Sequence, residues 1–133
     1  MEEAESKLEY FFDTYAIIEI LGQNPSYEKY KEEIATISIF NLAEIYRSAL
    51  GNFDDKELDE IYNKYKKAVV DIDDETIKEA MKFKVKNKGK RLSYADCIGY
   101  IYSKRNKMKF LTGDREFKDL EGVEFVKYSE RHK

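Results

Sequence analysis

Cysteine, histidine, proline, glutamine and tryptophan are almost or wholly missing from this chain of 133 residues. Cys97 is the only cysteine, which excludes an internal disulfide and leaves a four-cysteine zinc site three ligands short. The expected location is therefore the reducing cytoplasm. His132, the only histidine, stands next to last and reads as a solvated tail residue, so no Ser-His-Asp or Cys-His nucleophile competes for a role. Gln23 is the sole glutamine while Lys and Glu dominate the charges, a bias shared by proteins of hot environments. No run approaches the roughly 18 consecutive apolar residues of a membrane span. The start Met1-Glu2-Glu3-Ala4-Glu5 is acidic, where a signal peptide would be basic and then apolar. No membrane association is expected, and there is no internal repeat or low-complexity linker.

What is present suffices for one domain over 1–133. Apolar types make up 42% and aromatic types 14%, enough for a real core at this length. Charged residues reach 38%, against a usual value of about a quarter, but Ile, Leu, Val, Phe and Tyr recur in short runs, which excludes wholesale disorder. The net charge of -3 is unevenly spread: residues 1–66 hold 7 Lys+Arg and 15 Asp+Glu, residues 67–133 hold 17 and 12. An overall acidic balance thus leaves room for an anionic partner bound locally.

Along the chain, Leu8 to Phe12 reads as a strand, and Ala16 to Leu21 as a helix stopped by Gly22 and Pro25. Tyr27 to Glu33 reads as a short polar helix, Ile34 to Ile37 as a second strand, and Ser38 as the cap of a helix over 39–50. Asp54 heads a helix whose apolar face carries Leu58, Ile61, Tyr62 and Tyr65. Ala68 to Ile72 is a third strand, Asp73 heads the next helix, and Ser93 opens another through Ile98, Ile101 and Tyr102. Lys109 to Thr112 and Val123 to Val126 complete five strands. Strands alternating with helices predict an α/β fold: a three-layer α/β/α sandwich around a central, mostly parallel five-stranded sheet, with ligands bound beyond the carboxyl ends of its strands.

Three aspartates are placed to reach that crevice: Asp13 after the first strand, Asp114 after the fourth, and Asp96 in the first turn of the Ser93 helix. Glu44 lies one turn into the helix after the second strand, on a narrow polar stripe with Asn41, Arg47 and Ser48. Each acid has a purely structural explanation. Asp13 and Asp114 read as N-caps, Ser93-x-x-Asp96 as a capping-box variant, and Glu44 as a partner for Arg47 at i+3. Together, however, four carboxylates at one crevice repel one another and call for positive charge. Carboxylate oxygens suit Mg²⁺ or Mn²⁺, and no nearby His or Cys favours zinc.

The segments Phe12-Asp13-Thr14, Ile37-Ser38-Ile39-Phe40-Asn41-Leu42-Ala43-Glu44, Leu92-Ser93-Tyr94-Ala95-Asp96-Cys97-Ile98 and Leu111-Thr112-Gly113-Asp114-Arg115-Glu116-Phe117 resemble, in order, the four acidic motifs of the PIN domain. The resemblance covers about the whole chain, and the compact length is similar to that of VapC-type toxins, which are metal-dependent ribonucleases. It implies that Asp13, Glu44, Asp96 and Asp114 are metal-binding catalytic acids, with the Thr112 hydroxyl beside them. It further implies RNA cleavage to a 5′-phosphate, an antitoxin partner and a homodimer. One departure is that Tyr94 and Cys97 flank Asp96 where such toxins carry smaller or aliphatic residues.

An acid-lined cleft needs other groups to hold RNA. Six of the ten residues from Lys82 to Arg91 are basic, and Lys88, Lys90 and Arg91, with Lys104 and Arg105 beyond the Asp96 helix, are candidates to grip phosphates; a solvated surface run is the alternative. Tyr100 and Tyr102 read as core or dimer contacts and Cys97 as a small buried hydrophobe. Arg47 either neutralises Glu44 or meets a partner segment. Two further functions stay open: a PIN ribonuclease of RNA processing with no antitoxin, and a catalytically silent PIN module that binds RNA or protein.

Overall fold

The structure, a computed structural model, describes residues 8–127; Met1 to Glu5 and His132 lie outside the described residues. Three strands form a parallel sheet in the order β1 (Tyr10–Phe12), β2 (Lys109–Thr112), β3 (Val123–Phe125). The helices are α1 (Thr14–Leu21), α2 (Ile39–Ala49), α3 (Asp55–Lys66), α4 (Asp74–Lys86) and α5 (Tyr94–Arg105). None of them is long and apolar enough to cross a membrane.

The sheet has three strands, not the five expected. Ile37 and Val69 are instead joined by a single parallel bridge, and Phe12 N donates to Thr36 O (2.9 Å), which lays this pair alongside β1. Helix ends consume the rest of both runs. Ser38 is committed to a capping box with Asn41 at the start of α2, while Ile34 is 85% exposed on the other side. Ala68 N is engaged with Tyr65 O as α3 ends, and Asp73 caps α4 through Thr76 N. One residue of each run is left to pair. The expected polar helix at 27–33 is likewise a 3-10 turn over Pro25–Tyr30, opened by the Asn24 side chain on Ser26 N and by Pro25 at its first position, where a proline costs no hydrogen bond.

Because side chains alternate across a strand, the same few residues face two cores. Phe12 and Leu111 point to the side of α1, α2 and α3, where they pack with Ile17, Tyr27, Ile37, Leu42, Ile45, Leu58 and Tyr65. Phe11 and Phe110 point to the side of α4 and α5, with Leu92, Cys97, Ile98, Tyr100, Ile101 and Phe117. These are the three α/β/α layers. α5 lies unusually close to the sheet at Gly99: a Cβ there would sit 2.6 Å from a Phe11 ring carbon and 3.0 Å from one of Phe110. Glycine costs a helix interior about 1 kcal/mol, and here it admits two aromatic rings.

Candidate functional site

The carboxyl ends of β1 and β2 deliver the first polar cluster. Asp13 follows β1 directly, and its N–H bonds Leu111 O (3.0 Å), extending the β1–β2 ladder by one residue. It occupies the N-cap position of α1, yet its side chain makes no capping bond. Instead its Oδ2 accepts from Thr112 Oγ1 at 2.7 Å, and Thr112 Oγ1 in turn accepts from Asp114 N at 3.0 Å. Asp13 and Thr112 are both buried. Burial drives the Asp13 carboxyl well above the usual carboxylate range; the charges of Asp96 and Asp114 push the same way, while the Thr112 hydroxyl and the Thr14 N–H pull against them.

Glu44, half-buried on α2, is positioned by a short relay. Ser38 N and Ser38 Oγ both donate to Asn41 Oδ1 (2.9 and 2.7 Å), which turns the Asn41 amide so that Nδ2 donates to Thr14 Oγ1 at 3.0 Å. Thr14 then has its own proton to give, and donates it to Glu44 Oε1 at 2.7 Å. The pair with Arg47 that the spacing allows is not formed among the described residues; Arg47 is exposed. Thr14 and Asn41 are side chains of the cluster to which the sequence pattern assigned no role. The buried Asn41 on the polar stripe of α2 was the available signal.

Asp96 and Asp114 do act as caps. Asp96 completes the α5 capping box, its Oδ2 accepting from Ser93 N at 2.8 Å while its own N–H donates to Ser93 Oγ at 3.0 Å. Asp114 heads a 3-10 turn (Arg115–Phe117), accepting from Glu116 N at 3.0 Å. Capping does not remove Asp96 from the site. Burial raises its carboxyl above the ordinary range, and the charges of Asp114 and Glu44 raise it further, against the pull of the Ser93 N–H. Asp13 thus feels the charges of Asp96 and Asp114, and Asp96 those of Asp114 and Glu44. Among the described residues, no three acidic, His or Cys side chains come together as a ready-made metal cage.

Two lysines of the basic run brace this crevice. Lys84 Nζ donates to Leu92 O, just before the α5 cap, and stands 5.1 Å from the centre of the Tyr94 ring. Lys90 Nζ donates to Glu116 O at 2.9 Å, in the turn after Asp114. Lys88 and Arg91 are exposed beside them. Lys104 and Arg105 lie at the other end of α5, about 12–14 Å along the axis from Asp96, and Arg105 pairs with Glu79 at 3.0 Å; the fold does not bring these two to the acids. Tyr100 is buried and donates to Glu121 O at 2.7 Å. Cys97 is buried, and burial pushes its thiol up to about 11, which leaves no thiolate for chemistry near neutrality.

An all-parallel sheet between helical layers, with acids gathered beyond the carboxyl ends of its strands, places the molecule among α/β proteins with strand-end sites. The chain belongs to the PIN domain family, whose pattern matches residues 10–123. No curated protein sequence matches it. Among solved structures it is similar to a toxin-antitoxin complex from Klebsiella pneumoniae, at 15% identity and TM-score 0.68, covering 89% of this chain and 98% of that one. It is also similar to VapBC2 from Rickettsia felis bound to a DNA fragment from their promoter, at 15% identity and TM-score 0.66, over 92% of this chain and 100% of that one. A third similar structure is PAE2754 from Pyrobaculum aerophilum, at 18% identity and TM-score 0.62, over 90% and 91% of the two chains. At these identities the likeness is one of fold.

Proposed function

We propose that the chain, acting as a single domain, is a metal-dependent endoribonuclease that hydrolyses RNA phosphodiester bonds, and that it is the toxin of a toxin-antitoxin pair. The observation that carries the reading is the Asp13 carboxylate, buried among the charges of Asp96 and Asp114 with its capping role unused. PIN nucleases generally use divalent ions. The donor set here fits one: oxygen ligands only, net negative and, among the described residues, without an ion-paired lysine or arginine. Mg²⁺ keeps several waters and takes one or two carboxylates directly, so four acids spaced around a crevice suit it without forming a closed cage. In this reading Asp13, Glu44, Asp96 and Asp114 hold Mg²⁺ or Mn²⁺, and Thr112 supports Asp13. The ion would make an attacking water more acidic and offset charge on the leaving oxygen. Thr112 holds Asp13 aimed into the crevice, and the Asn41–Thr14 relay does the same for Glu44. One similar structure is a toxin-antitoxin complex, which supports an antitoxin partner here. A homodimer in the cytoplasm is the expected working form.

The deciding experiment is cleavage of a labelled RNA panel with Mg²⁺ or Mn²⁺. Asp13→Asn and Glu44→Gln are each expected to lower the rate by about a hundredfold or more, and EDTA to stop it. Equal cleavage by all three proteins, or undiminished cleavage in EDTA, rejects the assignment.

A further inference from the structure

Among the described residues, one buried side-chain polar atom is left without a hydrogen-bond partner, the hydroxyl of Tyr27. Two other buried tyrosines set the contrast: Tyr30 donates to Glu124 Oε2 at 2.6 Å, and Tyr100 to Glu121 O at 2.7 Å. Tyr27 is only 2% exposed, so open solvent does not supply the missing partner. A buried hydroxyl without a hydrogen bond costs stability. Phenylalanine would place the same ring in the same core without that cost.

The hydroxyl lies at the acids. Tyr27 comes from the 3-10 turn Pro25–Tyr30 and packs in the core with Phe12, Ile17 and Leu111. A Cβ on Gly113 would stand 2.5 Å from its oxygen. Tyr27 therefore ends against the backbone of the one residue between Thr112, which donates to Asp13, and Asp114. Burial drives its phenol far above the ordinary range, and the charges of Tyr15, Glu19 and Asp13 drive it further. Tyr27 thus keeps its proton near neutrality and is a donor there.

We propose that Tyr27 is a positioning residue of the metal site: its hydroxyl, unpaired in the free protein, takes an oxygen acceptor on segment 112–114 when Asp13 and Asp114 close on a divalent ion. Among the described residues the acids do not stand as a ready-made cage, so loading the site has to shift them. Asp114 cannot shift without the backbone that Tyr27 touches. A donor that is unpaired before loading and paired after it adds to the affinity for the ion and not to the stability of the free fold. The proposal rests on the metal-dependent reading of the acids and adds to it a residue outside the carboxylate set.

The test compares wild type, Tyr27→Phe and Tyr30→Phe, each as the full chain, by thermal melting in EDTA and by calorimetric titration with Mn²⁺ alone. Tyr27→Phe should melt at or above wild type in EDTA, yet bind Mn²⁺ about tenfold more weakly, the loss typical of a partner just outside the ligand shell. Its melting temperature should also rise less on adding Mn²⁺. Tyr30→Phe, which removes a paired hydroxyl from the same 3-10 turn, should show the reverse: a lower melting temperature in EDTA and Mn²⁺ affinity within about twofold of wild type. If Tyr27→Phe binds Mn²⁺ as wild type does while Asp13→Asn does not bind it, the role of Tyr27 is rejected and the metal site stands. A Tyr27→Phe protein that melts below wild type in EDTA would put the hydroxyl in a hydrogen bond of the free fold and overturn the proposal. Wild type that neither binds Mn²⁺ nor cuts RNA would reject the metal-dependent reading and the role of Tyr27 with it.

Discussion

Two of the four acids, Asp96 and Asp114, cap backbone N–H groups, and two, Asp13 and Glu44, do not. Asp96 closes a capping box and Asp114 caps a turn, so the fold alone is reason enough for both. Asp13 sits where a cap is wanted and turns away from it to Thr112, and Glu44 ignores Arg47 in favour of Thr14. A buried carboxylate with like charges around it costs stability, and against that cost Asp13 has only the Thr112 hydroxyl and the Thr14 N–H. An expensive acid with no structural duty is stronger evidence of function than an acid that caps.

The turn that links the two halves offers the largest effect. Gly113 lies between Thr112 and Asp114, and a Cβ on it would stand 2.5 Å from both the Tyr15 ring and the Tyr27 hydroxyl. Gly113→Ala should therefore destabilise by about 1–3 kcal/mol and disturb Asp13 and Asp114 together, measured by thermal melting and RNA cleavage. A variant that melts as wild type would mean that the tyrosines yield and that the turn is not what couples the halves.

Thr14→Val separates the Glu44 relay from the rest. It leaves Asn41 Nδ2 without its acceptor and Glu44 without its donor, for a loss of about 1–3 kcal/mol seen as a lower denaturant midpoint. Cleavage should fall with it, and full activity in this variant would detach the relay from the site.

The next effect has the opposite sign. In EDTA, Asp13→Asn should melt higher than wild type, by about 1 kcal/mol of relieved repulsion, whereas Asp96→Ala, which opens the α5 capping box, should show no gain. Mg²⁺ should raise the wild-type melting temperature more than that of Asp13→Asn, since a ligand of the folded state stabilises it by mass action. The two halves would be alike if Asp96→Ala stabilised as much as Asp13→Asn.

The same difference should depend on pH. The folded-state pKa of Asp13 is raised above its unfolded value, so its favourable contribution is complete below the ordinary carboxylate range, near pH 4, and is lost as pH rises through the elevated value. The advantage of Asp13→Asn over wild type in EDTA should thus vanish on acidification and grow as pH rises above the ordinary carboxylate range. A gap that is constant with pH would place the Asp13 effect in packing. The smallest effect belongs to Arg47→Ala, expected within about 0.5 kcal/mol of wild type by denaturant midpoint because its ion pair with Glu44 is not formed. A larger loss would restore Glu44 to a structural role.

Local signals in the sequence were enough for α2 to α5. Ser38, Asp54, Asp73 and Ser93 each stand before an apolar stripe, and each accepts the capping bond its position implies. The alternation of strand and helix likewise gave a parallel sheet between two helical layers, because a parallel strand needs a crossover and the crossover covers a face. Where the strands stop was not legible. Whether Ile37 and Val69 belong to strands depends on pairing between distant segments competing with the caps on either side, and only the assembled chain decides that competition. The order of the four acids was also readable, but not which of them cap and which turn inward. Asp13 and Asp114 look alike in sequence, one residue and two residues past a strand end. They differ because Thr112, 99 residues from Asp13 in the chain, is brought within 2.7 Å of it. In the same way Thr14 reaches Glu44 across 30 residues and takes the place of Arg47, three residues away. Short-range periodicity and capping chemistry set the α-helices by themselves, while the extent of the strands and the partner of each buried polar group were chosen by long-range packing, which a linear pattern does not contain.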